Sequence, residues 1–228
     1  MGNIADQLRL VVDAFKSIRP RRQNNIIDSL AELERFSATR AAFIAQKTMY
    51  GYIKARMGTK FPEMFRDPLI IHSVNIAKMH HFAACLSDIC IFVTARALDD
   101  PRFDHATRRA LAERMYVHGM NENKDAATAE FDPEDAVRKF RQRVAFTNWE
   151  GRFGMRDVFT QSPQSIMKWA PISDELKKYD VEFVQNSVKF AWIEIAKQFE
   201  KNFVGDRARA DVLSANLAAN IAEGAVSR

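Results

Sequence analysis

Glycine and proline are both scarce, 8 and 7 among 228 residues. A turn-rich β architecture needs more of both, so it is disfavoured. Cysteine occurs twice, as Cys85 and Cys90. On a helix these two would point about 140° apart, so they are not expected to bond to each other. A reducing, cytoplasmic compartment is the simplest setting for such a chain. No apolar run approaches about 18 uninterrupted residues, so no membrane-spanning helix is expected. The start, "MGNIADQLRLVVDAF", is broken by Asp6, Arg9 and Asp13 and does not read as a secretory signal. Asp6 also stands where a myristoylation pattern requires Ser or Thr.

Several catalytic signatures are missing too. The chain has no Gly-x-Ser-x-Gly elbow, no Walker loop, no dinucleotide-binding glycine motif, no His-Glu-x-x-His and no Glu-x-x-His. A Ser-His-Asp set assembled from distant residues stays open, with His72, His80, His81, His105 and His118 as the possible bases.

What is present is helical punctuation. The spacing predicts a long helix over Arg22–Met57 ending at Gly58, and another from Asp67-Pro68 to about Leu98. Asp100-Pro101 reads as the start of a helix running to His118, stopped by Gly119. Asp132-Pro133 and Ser162-Pro163 repeat that device. Asp180 is placed to cap a long helix ending near Phe203, with Gly205 as its stop. Residues 207–223 form an alanine-rich amphipathic segment. The expected fold is therefore all-α: one domain over 1–228, a bundle of about seven helices. Residues 1–20 make an N-terminal arm and 205–228 a peripheral C-terminal helix.

The net charge is +5 and unevenly spread: +6 over residues 1–66, −3 over 67–133 and +2 over 134–228. A basic first third favours anionic partners.

"MHHFAACLSDIC" (79–90) offers the densest set of metal-ligand types. At 100° per residue, His81, Cys85 and Asp88 share the flank of a core stripe, while His80 points away. Two ligands from one helix do not make a site, so no metal is expected, and the set reads as a boundary His, a buried Cys and a solvated Asp. "DDPRFD" (Asp99, Asp100, Asp104) resembles the aspartate-rich magnesium motif of helical prenyl synthases, but it has no second copy. "NENKDAATAEFD" (121–132) lacks the glycine and final glutamate of a calcium loop and reads as a linker. The arginines of "VRKFRQRVAF" (137–146) scatter around their helix and read as a solvated face. The aromatics of residues 186–203 (Phe190, Trp192, Phe199, Phe203) read as core; with no histidine near them, haem is not expected. No cofactor is expected.

The strongest binding pattern is Phe36, Arg40, Phe43, Lys47, Tyr50 and Lys54, spaced 4, 3, 4, 3 and 4 and continued by Met57. One helix face thus alternates aromatic and basic residues. Such a face contacts a protein partner, stacks on bases, meets anionic headgroups, or lays Lys and Arg stems over its own aromatics. The neighbouring face (Ile26, Leu30, Leu33, Ser37, Ala41, Ile44, Thr48, Gly51, Ala55) is the better core.

Across "YGYIKARMGTKF" and "MKWAPISDELKKYDVEFVQNSVKFAW" the chain resembles a group of uncharacterised bacterial helical proteins of similar length, some labelled "esterase". That resemblance implies no identifiable catalytic residue. The sequence therefore points to a non-catalytic helical interaction protein: an adaptor, assembly factor or structural subunit, self-associating or bound to a protein partner. A binder of nucleic acid or anionic membrane is the alternative, and an esterase-type hydrolase with a non-standard site is a further one.

Overall fold

The computed structural model describes residues 26–64, 66–150 and 158–215. The expected arm at 1–20 and the end of the C-terminal segment lie outside the described residues. The chain is all-α. Its seven longer helices are α1 (Leu30–Met57), α2 (Pro68–Ala97), α3 (His105–Glu122), α4 (Pro133–Ala145), α5 (Gln161–Trp169), α6 (Val181–Asn202) and α7 (Gly205–Ser214). Among the described residues the one β-type pairing is an isolated parallel bridge between Ile27 and Phe203. There Ile27 N–H donates to Asn202 O and Val204 N–H to Ile27 O, both at 2.9 Å. This bridge ties the approach to α1 onto the end of α6.

Local chemistry sets most boundaries. Asp67 and Asp132 accept from the first-turn amides of α2 and α4, each with proline at the first helical position. Gly58 ends α1 at φ 54°, a conformation that favours glycine.

Four expectations are corrected and a fifth is refined. Residues 26–29 are not helical: Ser29 caps α1 through the Glu32 amide, and Asp211 of α7 accepts from Leu30 N–H at 2.7 Å. Asp100 does not start α3; it binds the Arg102 amide and guanidinium at 2.9 and 2.8 Å, and Asp104 caps the helix instead. Gly119 does not stop α3 but lies inside it, where a Cβ would come within 2.8 Å of the Leu86 methyls. Gly119 is therefore small because α2 passes close by. Gly205 opens α7 rather than merely ending α6. Asp180 stands at the N-cap of α6 as expected, but its side chain takes no first-turn amide; the carboxylate holds Arg56 and Tyr52 instead.

α1 and α2 pack as the central pair, α3 lies against both, and α5 against the other side of α2. α6 crosses α1 and α5, α4 sits on α3, and α7 touches the ends of α1 and α2. By length and composition α2 is apolar enough to cross a membrane, contrary to the reading of the sequence by uninterrupted runs. However, 78% of its most apolar window is buried inside the protein, as in a core helix. Trp192, Phe92 and Phe199 are the largest fully buried side chains. Phe199 touches both Phe36 and Phe92, joining α6 to the central pair.

Candidate functional site

The polar cluster on α2 is interior. His81, Cys85 and Asp88 are all fully buried, which corrects the expectation of a boundary His and a solvated Asp. Thr48 Oγ1 donates to Ile44 O at 2.7 Å, so it accepts from His81 Nε2–H at 2.8 Å. His81 Nδ1 is then left as a buried lone pair without a partner. Burial drives the imidazole pKa down to about 3 and pushes the Cys85 thiol up, the latter aided by Asp88. The two side chains meet at 3.8 Å, but both are held neutral. A nucleophilic cysteine needs the opposite, a thiolate beside an imidazolium.

Asp88 has a structural task. Its Oδ1 accepts from Arg143 Nη1 at 2.7 Å and from Gln161 N–H at 3.1 Å. Its Oδ2 accepts from the amide and hydroxyl of Ser162 at 2.8 and 2.7 Å, and Trp192 Nε1 donates onward to Ser162 Oγ at 2.9 Å. Asp88 thus caps α5 from a different helix, replacing the local cap expected of Ser162. Burial raises its pKa, opposed by Arg143 and Ser162. Arg143 is correspondingly an interior anchor rather than part of a solvated face, also reaching Val158 O at 2.8 Å. Among the described residues no group of three or more His, Cys, Asp or Glu is placed to hold a metal. In "DDPRFD", Asp100 and Asp104 serve the turn and the α3 cap.

The aromatic-basic stripe of α1 lies at the edge of the core. Phe36 is buried, 5.4 Å from Phe199, with the Arg40 guanidinium 5.6 Å over its ring. Phe43 and Tyr50 are half-buried, and Lys47 Nζ sits 5.7 Å over Phe43. Lys47 and Lys54 are exposed. Burial, and then Arg35, lowers the Arg40 pKa, and burial raises that of Tyr50.

Of these residues, Lys47 also borders a groove between α1 and α6 with a volume of about 620 Å³. On its α1 side Gly51 and Ala55 stand among Lys47, Thr48 and Tyr52, and no atom lies within 4 Å of where a Gly51 Cβ would stand. On α6 the rim is Phe183, Ser187, Phe190 and Glu194, spaced 4, 3 and 4 along one face. Phe183 and Phe190 are 66% and 68% exposed. At the end of the groove, Tyr52 Oη donates to Asp180 at 2.8 Å and Arg56 pairs with the same carboxylate. This latch fixes the start of α6 beside the end of α1, and Arg56 holds the Asp180 pKa down. Tyr52 is pushed up to about 12, by burial first and then by Asp180.

The exposed Phe190 corrects its assignment to the core. The signal was available in the sequence: Phe190 stands two residues from both Val188 and Trp192, which are buried. On a helix that is about 200° round, the far side. Phe183, seven residues earlier, shares that far side.

Comparison with known proteins gives no relative for this chain: no family model, no curated protein and no solved structure matches it.

Proposed function

We propose that the chain is a non-catalytic helical interaction protein of the cytoplasm and that its α1–α6 face docks a second copy of itself. The observation that carries this reading is the self-complementarity of that face. It holds two exposed phenylalanine knobs, Phe183 and Phe190, beside a groove whose lining includes the small residues Gly51, Ala55 and Ala191. It also holds both signs of charge, Lys47 on one rim and Glu194 on the other, with no ion pair for either among the described residues. An isologous two-fold contact requires one surface to supply both knob and hole, and both cation and anion. Buried aromatic anchors ringed by polar residues are the usual energetic centre of such interfaces. The unpaired, buried thiols of Cys85 and Cys90 suit a reducing compartment. The neutral, enclosed His81–Cys85 pair supports a reading without catalysis.

Sedimentation velocity across the micromolar range tests the proposal. The wild-type chain is expected to dimerise. Lys47→Glu alone and Glu194→Lys alone should each be monomeric, because each sets like charges face to face across the two-fold contact. Mixing the two variants should restore a heterodimer, which an intramolecular pair across the groove would not do. A monomeric wild type, or variants that dimerise as it does, overturns the reading.

A further inference from the structure

A second cavity shares no lining residue with the α1–α6 groove. It is a cleft of about 500 Å³ bounded by α2, α3, α4, α5 and the segment leading into α4, within the usual range for small-molecule sites. Ala83, Ala84, Ala136 and Phe140 give it apolar surface. One wall is a ring stack: His80 lies flat on Trp169, centroids 3.5 Å apart and planes within 2°, with Phe131 edge-on to His80 at 5.1 Å.

The charges around the cleft are answered within the protein. Glu130 meets His72 Nε2 at 2.8 Å, Asp132 accepts from the Glu134 and Asp135 amides, and Asp135 pairs with Arg138 and Lys139. Arg143 is paired with Asp88. Lys168 is exposed, its ammonium 5.2 Å over the Trp169 ring and open to water. Neither sign of charge is left in want of a counter-ion, so an ionic ligand would lose hydration without gaining a partner.

What is unmet is hydrogen bonding. Tyr116 lines the cleft and is only 2% exposed, yet its hydroxyl has no hydrogen-bond partner among the described residues. A buried hydroxyl normally has one, and this one is left to the cleft. Burial raises its pKa, which keeps it a donor. Ser87 supplies a second donor to the same cleft. Its Oγ accepts from Arg143 Nη1 at 2.7 Å, and its proton has no acceptor among the described residues. The packing brings the two hydroxyls to one end. Phe140 stacks on Tyr116, centroids 4.1 Å apart, and Arg143, one turn further along α4, holds Ser87. Behind them Gly119, one turn on from Tyr116, lets α3 approach Leu86, the chain neighbour of Ser87. A Cβ on Gly119 would stand 2.8 Å from the Leu86 methyls. Two donors beside one apolar space suit a single carbonyl oxygen, which has two lone pairs.

We infer that this cleft binds a small, flat, neutral carbonyl compound, its oxygen accepting from Tyr116 and Ser87 and its apolar body lying over Ala83, Ala84 and Phe140. The His80–Trp169 stack forms the side wall and reports occupancy.

Three probes of one shape test it on the full chain: acetophenone, α-methylstyrene, in which a methylene group replaces the oxygen, and benzoate, which carries a charge. The readouts are the His80 imidazole and Trp169 indole resonances. Acetophenone is expected to bind saturably and shift both. α-Methylstyrene and benzoate should each bind at least about tenfold more weakly: the first leaves both hydroxyls unmet, and the second brings a charge with no counter-charge. Tyr116→Phe removes a hydroxyl that holds nothing within the protein, so the fold stays. It should weaken acetophenone by about fivefold, the usual effect of one neutral hydrogen bond, and leave α-methylstyrene no weaker. Ser87→Ala should act in the same way, with Arg143 keeping Asp88. The inference is overturned if acetophenone fails to bind, if the three probes bind alike or benzoate binds best, if the shifts avoid His80 and Trp169, or if Tyr116→Phe keeps the wild-type affinity for acetophenone.

Discussion

α2 and α6 are both long, and both mix polar and apolar residues, yet they solve opposite problems. From Met79 onward α2 is enclosed on nearly every side, so its polar residues His81, Ser87, Asp88 and Thr94 are buried with it. α6 lies on the rim and buries only the stripe Val184, Val188, Ala191, Trp192, Ile195, Ala196 and Phe199. Its other face puts Phe183 and Phe190 into solvent. On this enclosed helix His81, Ser87 and Asp88 take partners from other elements (Thr48 and Arg143), while Thr94 Oγ1 and His81 Nδ1 have none among the described residues. A rim helix with large apolar groups outside leaves them for something that is not this chain. Polarity alone misplaces residues on both helices, because position in the packing decides burial.

The comparison breaks most sharply at Asp88. Asp88→Ala removes the acceptor for Arg143, Gln161 and Ser162 at once. It leaves a partly buried guanidinium uncompensated, a change of the kind that costs about 3–5 kcal/mol. Urea unfolding should show that loss. Asp88→Asn, which keeps one acceptor oxygen, should lose less. If Asp88→Ala costs under about 1 kcal/mol, the carboxylate does not hold α5 in place.

His81 gives the next effect. Its folded pKa, about 3, lies below the ordinary histidine value of 6.5. Between these two values the unfolded chain binds more protons than the folded one. Stability is therefore fully present above pH 6.5 and falls as pH drops toward 3. The steepest possible slope from this one group is roughly 1.4 kcal/mol per pH unit. His81→Gln keeps a donor for Thr48 and removes the titration. Unfolding measured from neutral pH to pH 4 should show a shallower acid limb in the variant, whatever its absolute stability. Parallel limbs would place the acid sensitivity elsewhere.

Sequence logic reached far on α2 and α4, where capping is local. Asp67-Pro68 and Asp132-Pro133 sit next to the amides they cap, so a linear reading finds them. It failed where the cap comes from a distant residue. Asp88 is 73 positions from the Gln161 amide, and Asp211 is 181 from the Leu30 amide. Nothing at Thr160 or Ser162 signals that a partner exists. Asp100 misled for a related reason: its neighbour Arg102 outcompeted the helix amides, and buried Phe103 pulled the turn inward. The residues of the aromatic-basic stripe all lie on α1, but the approach of Phe199 to Phe36 depends on α6 and is not written in α1. The groove was legible only in part: Phe183 and Phe190 have a readable phase, whereas their pairing with Gly51 is tertiary.

Two helical glycines sharpen the comparison at smaller scale. Gly119→Ala puts a methyl against Leu86 at 2.8 Å, beside the enclosed helix. Overpacking of about 1–3 kcal/mol should outweigh the helix-propensity gain of about 1 kcal/mol. A net destabilisation of about 1 kcal/mol is expected. Gly51→Ala meets nothing within 4 Å. It should stabilise the monomer by about 0.5–1 kcal/mol while partly filling the groove and weakening dimerisation. Thermal unfolding of the two variants should move in opposite directions. A shared direction would mean that the space around these glycines is not what separates them.

The smallest folding effect is expected where the side chains are largest. Phe183 and Phe190 are 66% and 68% exposed, so changing both to Ser should alter monomer stability by no more than about 0.5 kcal/mol. A buried phenylalanine such as Phe92 typically costs 3–5 kcal/mol when truncated to alanine. The contrast becomes useful once protein concentration is varied. If the α1–α6 face joins two copies, the unfolding midpoint of the wild type rises with concentration, because the folded state alone gains the partner. The double variant should match the wild type when dilute and fall behind it when concentrated. A constant difference at every concentration would assign the two rings to the monomer's own stability, and α6 would then be an inward helix like α2. A difference that grows with concentration locates their contribution between molecules, which is the property that separates the rim helix from the enclosed one.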